Sequence, residues 1–190
     1  MIYHLIKTLP LLKLIGYNKD MIKAVIFDLN GIFLQSPKLS DRFSKDFGVK
    51  TDVFLPKLSE IMDKVRKPND YWFKGEIQSE KMIAFAKSLR QRGVKVYILS
   101  NNFKERADYY NQYPWIHDAV DKVYFSWQTG FVKPDVRAWE LVLAENNLKG
   151  EECLYFDDQD KNIKSAESLG IISFKFTNEE ELEKIVNEKL

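Results

Sequence analysis

The sequence predicts an α/β protein in which helices cover both faces of a parallel sheet, with a small helical insert. Five short apolar runs, beginning near residues 23, 94, 122, 152 and 171, alternate with segments that have helical periodicity. The runs are nearly continuous, as in strands buried on both faces. A long stretch of helical character separates the first run from the second. Together these features predict three layers around one core.

The composition is that of a globular protein. The chain has 190 residues, of which 45% are hydrophobic, and a formal net charge of +1. It therefore lacks the basic excess typical of nucleic-acid-binding proteins, and we expect no nucleic-acid partner. The single cysteine, Cys153, lies within an apolar run and cannot form an internal disulfide. We interpret it as a core residue in a reducing compartment, which predicts a cytoplasmic protein.

Residues 1–20 form an extension outside the predicted core. Lys7, Pro10 and Lys13 interrupt their apolar stretch, so we predict no stable membrane span. The segment fits a helical appendage, a membrane-surface helix or a start-site artefact with Met21 as the functional start.

The first strand covers residues 23–28 and ends at Asp28. Ligands of open α/β sheets bind at the carboxyl ends of the strands, so Asp28 is a candidate site residue. The following Asn30-Gly31 pair is also typical of a simple turn. Taken alone, this stretch favours the turn.

Residues 35–79 are predicted to be a helical cap inserted into a core formed by residues 21–34 and 80–190. Apolar spacing indicates helices at 41–47, 53–65 and 79–92. Because the insert follows the first strand, it should lie over the site. Lys74 and Glu76 in its returning segment are possible substrate contacts, although solvent-exposed charges are the simpler interpretation.

The second strand, 94–99, is followed by Ser100, Asn101 and Asn102. Hydroxyl and amide donors at a strand end can bind phosphate, but Ser and Asn are also common helix caps. A helix is predicted at 104–113. We interpret the aromatic-rich span 109–127 mainly as core. A surface that binds a second copy of the chain or a protein partner is the alternative interpretation.

Two further strand ends carry charge. Lys133 stands just before the predicted helix 136–147, where the helix dipole disfavours a cation unless an anion shares the site. Asp157 and Asp158 follow the fourth strand, 152–156. Adjacent carboxylates repel each other and are relieved by a hard divalent cation, most naturally Mg²⁺. An exposed lysine and an acidic helix start remain the structural alternatives.

Right-handed crossovers would place these groups along one sheet edge. A fifth strand at 171–176 and a closing helix at 178–190 complete the predicted fold. A nucleophilic carboxylate, a hydroxyl donor, a cation and a metal-binding acidic pair are the groups needed to move a phosphoryl group.

The motifs around Asp28, Ser100, Lys133 and Asp157-Asp158, taken in this order, resemble those of the haloacid dehalogenase superfamily over residues 21–176. The resemblance implies a Rossmann-like core and a helical cap. Residues 71–77 are similar to the end of the cap in the branch of sugar phosphatases and epoxide-hydrolase phosphatase domains.

The resemblance also implies roles for individual residues. Asp28 would attack phosphorus in a small phosphorylated substrate and form an aspartyl-phosphate. Ser100, Asn101 and Lys133 would hold the phosphoryl oxygens. Mg²⁺ would bind Asp28, the backbone carbonyl of Asn30 and Asp158, with Asp157 orienting a coordinated water.

Asn30 departs from the family pattern, which usually has an aspartate there as general acid and base. An amide cannot perform this proton transfer, which is typically worth about 10²–10⁴-fold in rate. Three interpretations follow: a weakened phosphatase, a catalytically inactive phosphate-binding or protein-interaction module, or a dehalogenase. The acidic pair and Asn30 make the dehalogenase the weakest of these.

Overall fold

The computed structural model describes residues 22–35, 45 and 76–190. The predicted extension at 1–20 and the predicted helices at 41–47 and 53–65 lie outside the described residues, as does Lys74. Within the described part of the chain, no helix is long and apolar enough to span a bilayer.

The core is a five-stranded, fully parallel sheet in the order β5-β4-β1-β6-β7. The strands of this sheet are β1 (Ala24–Phe27), β4 (Lys95–Ser100), β5 (Lys122–Phe125), β6 (Cys153–Asp157) and β7 (Ile172–Lys175). A separate antiparallel pair consists of β2 (Leu34–Gln35) and β3 (Ile77–Gln78). The parallel α/β sheet predicted from the sequence is therefore confirmed.

Successive residues of the central strands enter two different hydrophobic clusters. Val25 and Phe27 face one cluster, whereas Ala24 and Ile26 face the other. Side chains of a strand alternate between the faces of its sheet, so an unbroken apolar strand needs a helical layer on each side. This requirement produces the three-layer arrangement.

Seven α-helices are described in these parts of the chain. They are α1 (Glu80–Gln91), α2 (Lys104–Tyr110), α3 (Pro114–Ala119), α4 (Ser126–Thr129), α5 (Arg137–Glu145), α6 (Asp160–Glu167) and α7 (Glu179–Lys189). Helices α1, α2, α3 and α7 contribute to one cluster, and α5 and α6 contribute to the other.

The predicted helix at 104–113 was too long. Helix α2 ends at Tyr110, and Pro114 begins α3 at a position where its missing N–H costs nothing. The short α4 and the β2–β3 pair were not predicted, because two to four residues carry too little periodicity.

The β2–β3 pair joins the two places where the chain enters and leaves residues 36–75. Leu34 pairs with Gln78 and Gln35 pairs with Ile77. The backbone N–H of Ser79 also donates to the carbonyl of Phe33 at 2.9 Å. Both ends of this stretch are consequently fixed near the carboxyl end of β1.

The aromatic-rich span is largely part of the core. Tyr110, Trp115, Tyr124 and Phe125 are buried, while Trp127 is 39% exposed. The rings therefore serve mainly to pack the helical layer against the sheet. Cys153 is also fully buried, and burial raises the pKa of its thiol to about 12, which fits a core residue.

Gly150 gives a direct test of the packing that holds β6. A Cβ added at this residue would overlap the Leu169 carbonyl oxygen, which is backbone and cannot rotate away. We expect Gly150→Ala to lower the free energy of unfolding by about 3 kcal/mol. Urea unfolding followed by circular dichroism measures the change.

Gly93→Ala is the matched control. Nothing lies within 4 Å of a Cβ added there, so only the cost of its positive φ of 82° remains, roughly 1 kcal/mol. Equal losses for the two variants would contradict the packing described for Gly150.

Candidate active site

Three adjacent strands deliver polar side chains to the same sheet edge. Phe27 is in register with Ile98 on one side and Phe156 on the other. The next residues along β1 and β6 are Asp28 and Asp157, which are 6% and 0% exposed. Ser100 ends β4 and is 2% exposed. The parallel register therefore brings these predicted site residues together.

Lys133 reaches the centre of this edge from the loop before α5. Its Nζ lies 3.0 Å from Asp28 Oδ1 and 2.7 Å from Asp157 Oδ2. The Tyr155 hydroxyl is 3.2 Å from the same nitrogen. Lys133 is 3% exposed, so a buried cation joins the two carboxylates.

Asn101 fixes the backbone of Lys133 in both directions. Its Nδ2 donates to the Lys133 carbonyl at 2.9 Å, and its Oδ1 accepts from the Lys133 N–H at 2.9 Å. The Lys133–Pro134 peptide bond is cis. This geometry gives Asn101 a positioning role; direct phosphate binding by Asn101 stays a prediction.

Asp157 is already saturated by donors. Its carboxylate accepts from Lys133, the Tyr155 hydroxyl, the Gln159 N–H and the Asn162 amide, the last at 2.9 and 3.0 Å. Burial alone would raise the pKa of Asp157, but Lys133 and these hydrogen bonds hold it below its usual value. Asp157 is thus an ionised anchor for Lys133.

Asp28 and Asp158 remain available on the open side of the cluster. Single carboxylate oxygens of Asp28, Asp157 and Asp158 all lie within 4.8 Å of one another. Burial is the main cause that raises the pKa of Asp28, opposed by Lys133. Burial and then the neighbouring Asp157 raise the pKa of Asp158, which is exposed. A hard divalent cation would stabilise both ionised forms, so the donor set fits Mg²⁺.

Asn30 is held by hydrogen bonds on both sides of its amide. Its Nδ2 donates to the Tyr110 hydroxyl at 3.3 Å, and its Oδ1 accepts from Asn102 Nδ2 at 3.4 Å. Asn102 Nδ2 also donates to Ser100 Oγ at 2.8 Å. Asn102 is 5% exposed and links the motifs after β1 and β4. This link could not be predicted from the sequence, in which Asn102 belongs only to a run of polar residues.

The interpretation of Glu76 as a solvent-exposed charge is wrong. Its side chain is 1% exposed, and its Oε1 accepts from Arg106 Nη2 and the Tyr110 hydroxyl, each at 2.8 Å. Arg106 and Tyr110 lie four residues apart on α2, so they share a helix face. Neither was predicted as a site residue, because their partner is distant in sequence.

A cavity of about 450 Å³ opens over this edge. It is lined by Asp28, Asn30, Gly31, Leu34, Gln35, Arg106, Asp158 and Gln159. The candidate nucleophile and the second available carboxylate therefore face a common space that can admit a small molecule.

A parallel sheet that ends in a carboxylate, a buried lysine and an acidic pair is the arrangement expected of a phosphoryl-transfer hydrolase. The family model of haloacid dehalogenase-like hydrolases matches residues 71–170. The chain belongs to this family.

Curated relatives resemble part of the chain. The sesquiterpene phosphatase astK of Aspergillus oryzae is 26% identical over 102 residues, which are 52% of this chain and 50% of that protein. Phosphatase MT3486 of Mycobacterium tuberculosis is 34% identical over 86 residues, covering 45% of this chain and 40% of the relative. The matched regions thus span half or less of these relatives.

The fold is shared more widely. A haloacid dehalogenase family enzyme from Bacteroides thetaiotaomicron, solved with magnesium and inorganic phosphate, superposes with a TM-score of 0.66 at 21% identity. The match covers 82% of this chain and 94% of that one. At this identity the similarity supports the fold.

Removing Lys133 should destabilise the whole edge. Lys133→Met would leave Asp28 and Asp157 buried without a cation, and breaking such a buried pair costs about 3–5 kcal/mol. We expect a loss of this size in urea unfolding at neutral pH.

Lys175→Met is the matched control. Lys175 pairs with Asp160 at 2.9 Å, but the two side chains are 52% and 68% exposed. Solvent screens such a pair, so little change in stability is expected. Similar stability of the two variants would show that Lys133 does not hold the site together.

Proposed function

We propose that the chain is a Mg²⁺-dependent phosphomonoester hydrolase that acts on a small phosphorylated metabolite through an aspartyl-phosphate at Asp28. The observation that carries this proposal is the position of Asp28, which contacts the buried Lys133 and lines a cavity with Asp158. Residues 35–79 would form the cap, since the β2–β3 pair fixes both ends of this stretch beside Asp28.

The hydrogen bonds of Asp28 suggest which oxygen attacks. Oδ1 accepts from the Leu29 N–H at 2.7 Å and lies 3.0 Å from Lys133 Nζ. Among the described residues, Oδ2 accepts no hydrogen bond. Oδ2 would therefore form the new bond to phosphorus while the P–O bond to the leaving group breaks.

Lys133 and Ser100 would stabilise the transferred phosphoryl group. Charge spreads over its oxygens in the transition state, and fixed donors in a buried site stabilise that charge. Asp158, Asp28 and the backbone carbonyl of Asn30 would hold Mg²⁺. The bound ion would neutralise charge on the phosphoryl oxygens.

Asn30 should limit the reaction. The departing oxygen needs a proton, and the water that attacks later must lose one. An amide can neither donate nor accept these protons usefully near neutral pH. We therefore expect slow turnover, with a preference for aryl or acyl phosphates whose leaving groups need little protonation.

A catalytically inactive phosphate-binding module is the second candidate. The observation that favours it is the Asn30 amide, which is already occupied by Tyr110 and Asn102. Such a protein would bind phosphate and Mg²⁺ through the same residues without completing hydrolysis.

Hydrolysis of p-nitrophenyl phosphate separates the two candidates. We expect the wild type to turn over slowly with Mg²⁺ and Asp28→Asn to be inactive, because the amide is a poor nucleophile. Asn30→Asp should be faster by up to about 10²–10⁴-fold, since it restores a general acid and base. Turnover by Asn30→Asp alone would favour the binding module, and unchanged activity in Asp28→Asn would exclude the proposed nucleophile.

Mg²⁺ binding tests the metal assignment independently of turnover. Asp158→Asn should weaken Mg²⁺ affinity at least tenfold by calorimetry (about one decade), because it removes one of the two available carboxylates. Asp160→Asn is the control: Asp160 is exposed and pairs with Lys175 on the surface. Equal Mg²⁺ affinity in both variants would contradict the role of Asp158.

A further inference from the structure

Arg106 lies on the wall of the cavity that contains Asp28 and Asp158. Arg106 lies on α2, the helix that follows Ser100, and it belongs to none of the four sequence motifs. Among the described residues that line this cavity, Arg106 is the only basic one. Lys133 is a buried cation beneath the cavity, paired with Asp28 and Asp157.

The guanidinium of Arg106 is fixed in place by two groups. Its Nε donates to the Tyr110 hydroxyl, and its Nη2 donates to Glu76 Oε1 at 2.8 Å. The guanidinium carbon lies 5.2 Å from the centre of the Tyr110 ring. Because the Glu76 side chain is buried, movement of the arginine side chain would break an ion pair with a buried carboxylate.

Part of the guanidinium remains available to a ligand. A guanidinium has more N–H donors than these two contacts use, and Nη1 donates to no residue in the described part of the chain. The Arg106 side chain is 21% exposed, in contrast to 1% for Glu76. Arg106 therefore lines the cavity with donor capacity that its two contacts do not use.

The chemistry of the wall suits a polar leaving group. Leu34 is the one apolar side chain among the described residues of the lining, and Gln35 and Gln159 add amide groups. Glu76 compensates the charge of Arg106, so the wall offers directed hydrogen-bond donors more than net positive charge. Such donors are satisfied by oxygen acceptors and are left unpaired by a hydrocarbon.

We propose that Arg106 determines substrate specificity by donating hydrogen bonds to an oxygen-bearing leaving group, either a hydroxyl or a carboxylate, on the phosphorylated substrate. This inference rests on the proposed function, because it takes the phosphoryl group to sit at Asp28. Glu76 and Tyr110 are positioning residues that orient the guanidinium.

The test is binding of three phosphonates of similar length, measured by calorimetry with Mg²⁺ present. Propylphosphonate has an apolar tail, 3-hydroxypropylphosphonate ends in a hydroxyl, and 3-phosphonopropionate ends in a carboxylate. None of them can be hydrolysed, so the measurement does not depend on turnover. Comparison of the two polar compounds shows whether Arg106 favours a hydroxyl or a carboxylate on the leaving group.

The wild type should bind at least one polar compound about tenfold more tightly than propylphosphonate, the gain expected of a charge-assisted hydrogen bond. Arg106→Met keeps the apolar stem and removes the donors. In this variant, the affinities for the two polar compounds should fall to within about twofold of the affinity for propylphosphonate. The affinity for propylphosphonate itself should change little.

Arg106→Met removes an ion-pair partner of the buried Glu76 carboxylate, so the double variant Glu76→Gln/Arg106→Met guards against loss of folding. The double variant should likewise lose the tighter binding of the polar phosphonates over propylphosphonate. Glu76→Gln alone keeps the arginine and should retain part of the preference. Arg137→Met removes an exposed arginine that pairs with Asp135 outside the cavity, and it should behave as the wild type.

Equal binding of the three phosphonates by the wild type, or a preference that survives in the double variant, would overturn the role of Arg106 alone. Failure of the wild type to bind propylphosphonate and both polar compounds would contradict the phosphate site itself, and the specificity inference would fall with it.

Discussion

The buried ion pairs of Lys133 organise the rest of the site. A lysine and two carboxylates are costly to remove from water, and they are stable there only because each has an opposite charge or a hydrogen bond within reach. Several neighbouring polar groups supply these contacts. Asn101 fixes the lysine backbone, while Tyr155 and Asn162 fill the remaining acceptor positions of Asp157.

This arrangement divides the acidic residues by function. The carboxylate of Asp157 accepts hydrogen bonds from several protein donors and holds Lys133 in place. Asp157 is therefore suited to structure more than to catalysis. Asp28 and Asp158 have free coordination positions toward the cavity, and burial raises the pKa of both. Under the proposed function, these two carboxylates would take up the cation and the incoming phosphoryl group.

The sequence predicted the central strands and most helices because their apolar patterns are long and regular. It also predicted Asp28, Ser100, Lys133 and the acidic pair, since each stands at a strand end or beside a helix start. The contacts among Glu76, Arg106 and Tyr110 could not be predicted, because they join residues up to 34 positions apart whose local patterns look like surface helix and loop. Burial of a charge depends on tertiary packing, which leaves no periodic signal in the chain.

Chemical trapping tests most directly whether Asp28 carries the phosphoryl group, as proposed. Protein incubated with p-nitrophenyl phosphate and Mg²⁺ is quenched in acid and treated with borohydride, which reduces an acyl phosphate to an alcohol, and residue 28 is identified by peptide mass spectrometry. We expect homoserine at residue 28 only when substrate is present, enriched because Asn30 slows the second step. Turnover without any modification of residue 28, or with the modification at another carboxylate, would contradict the account.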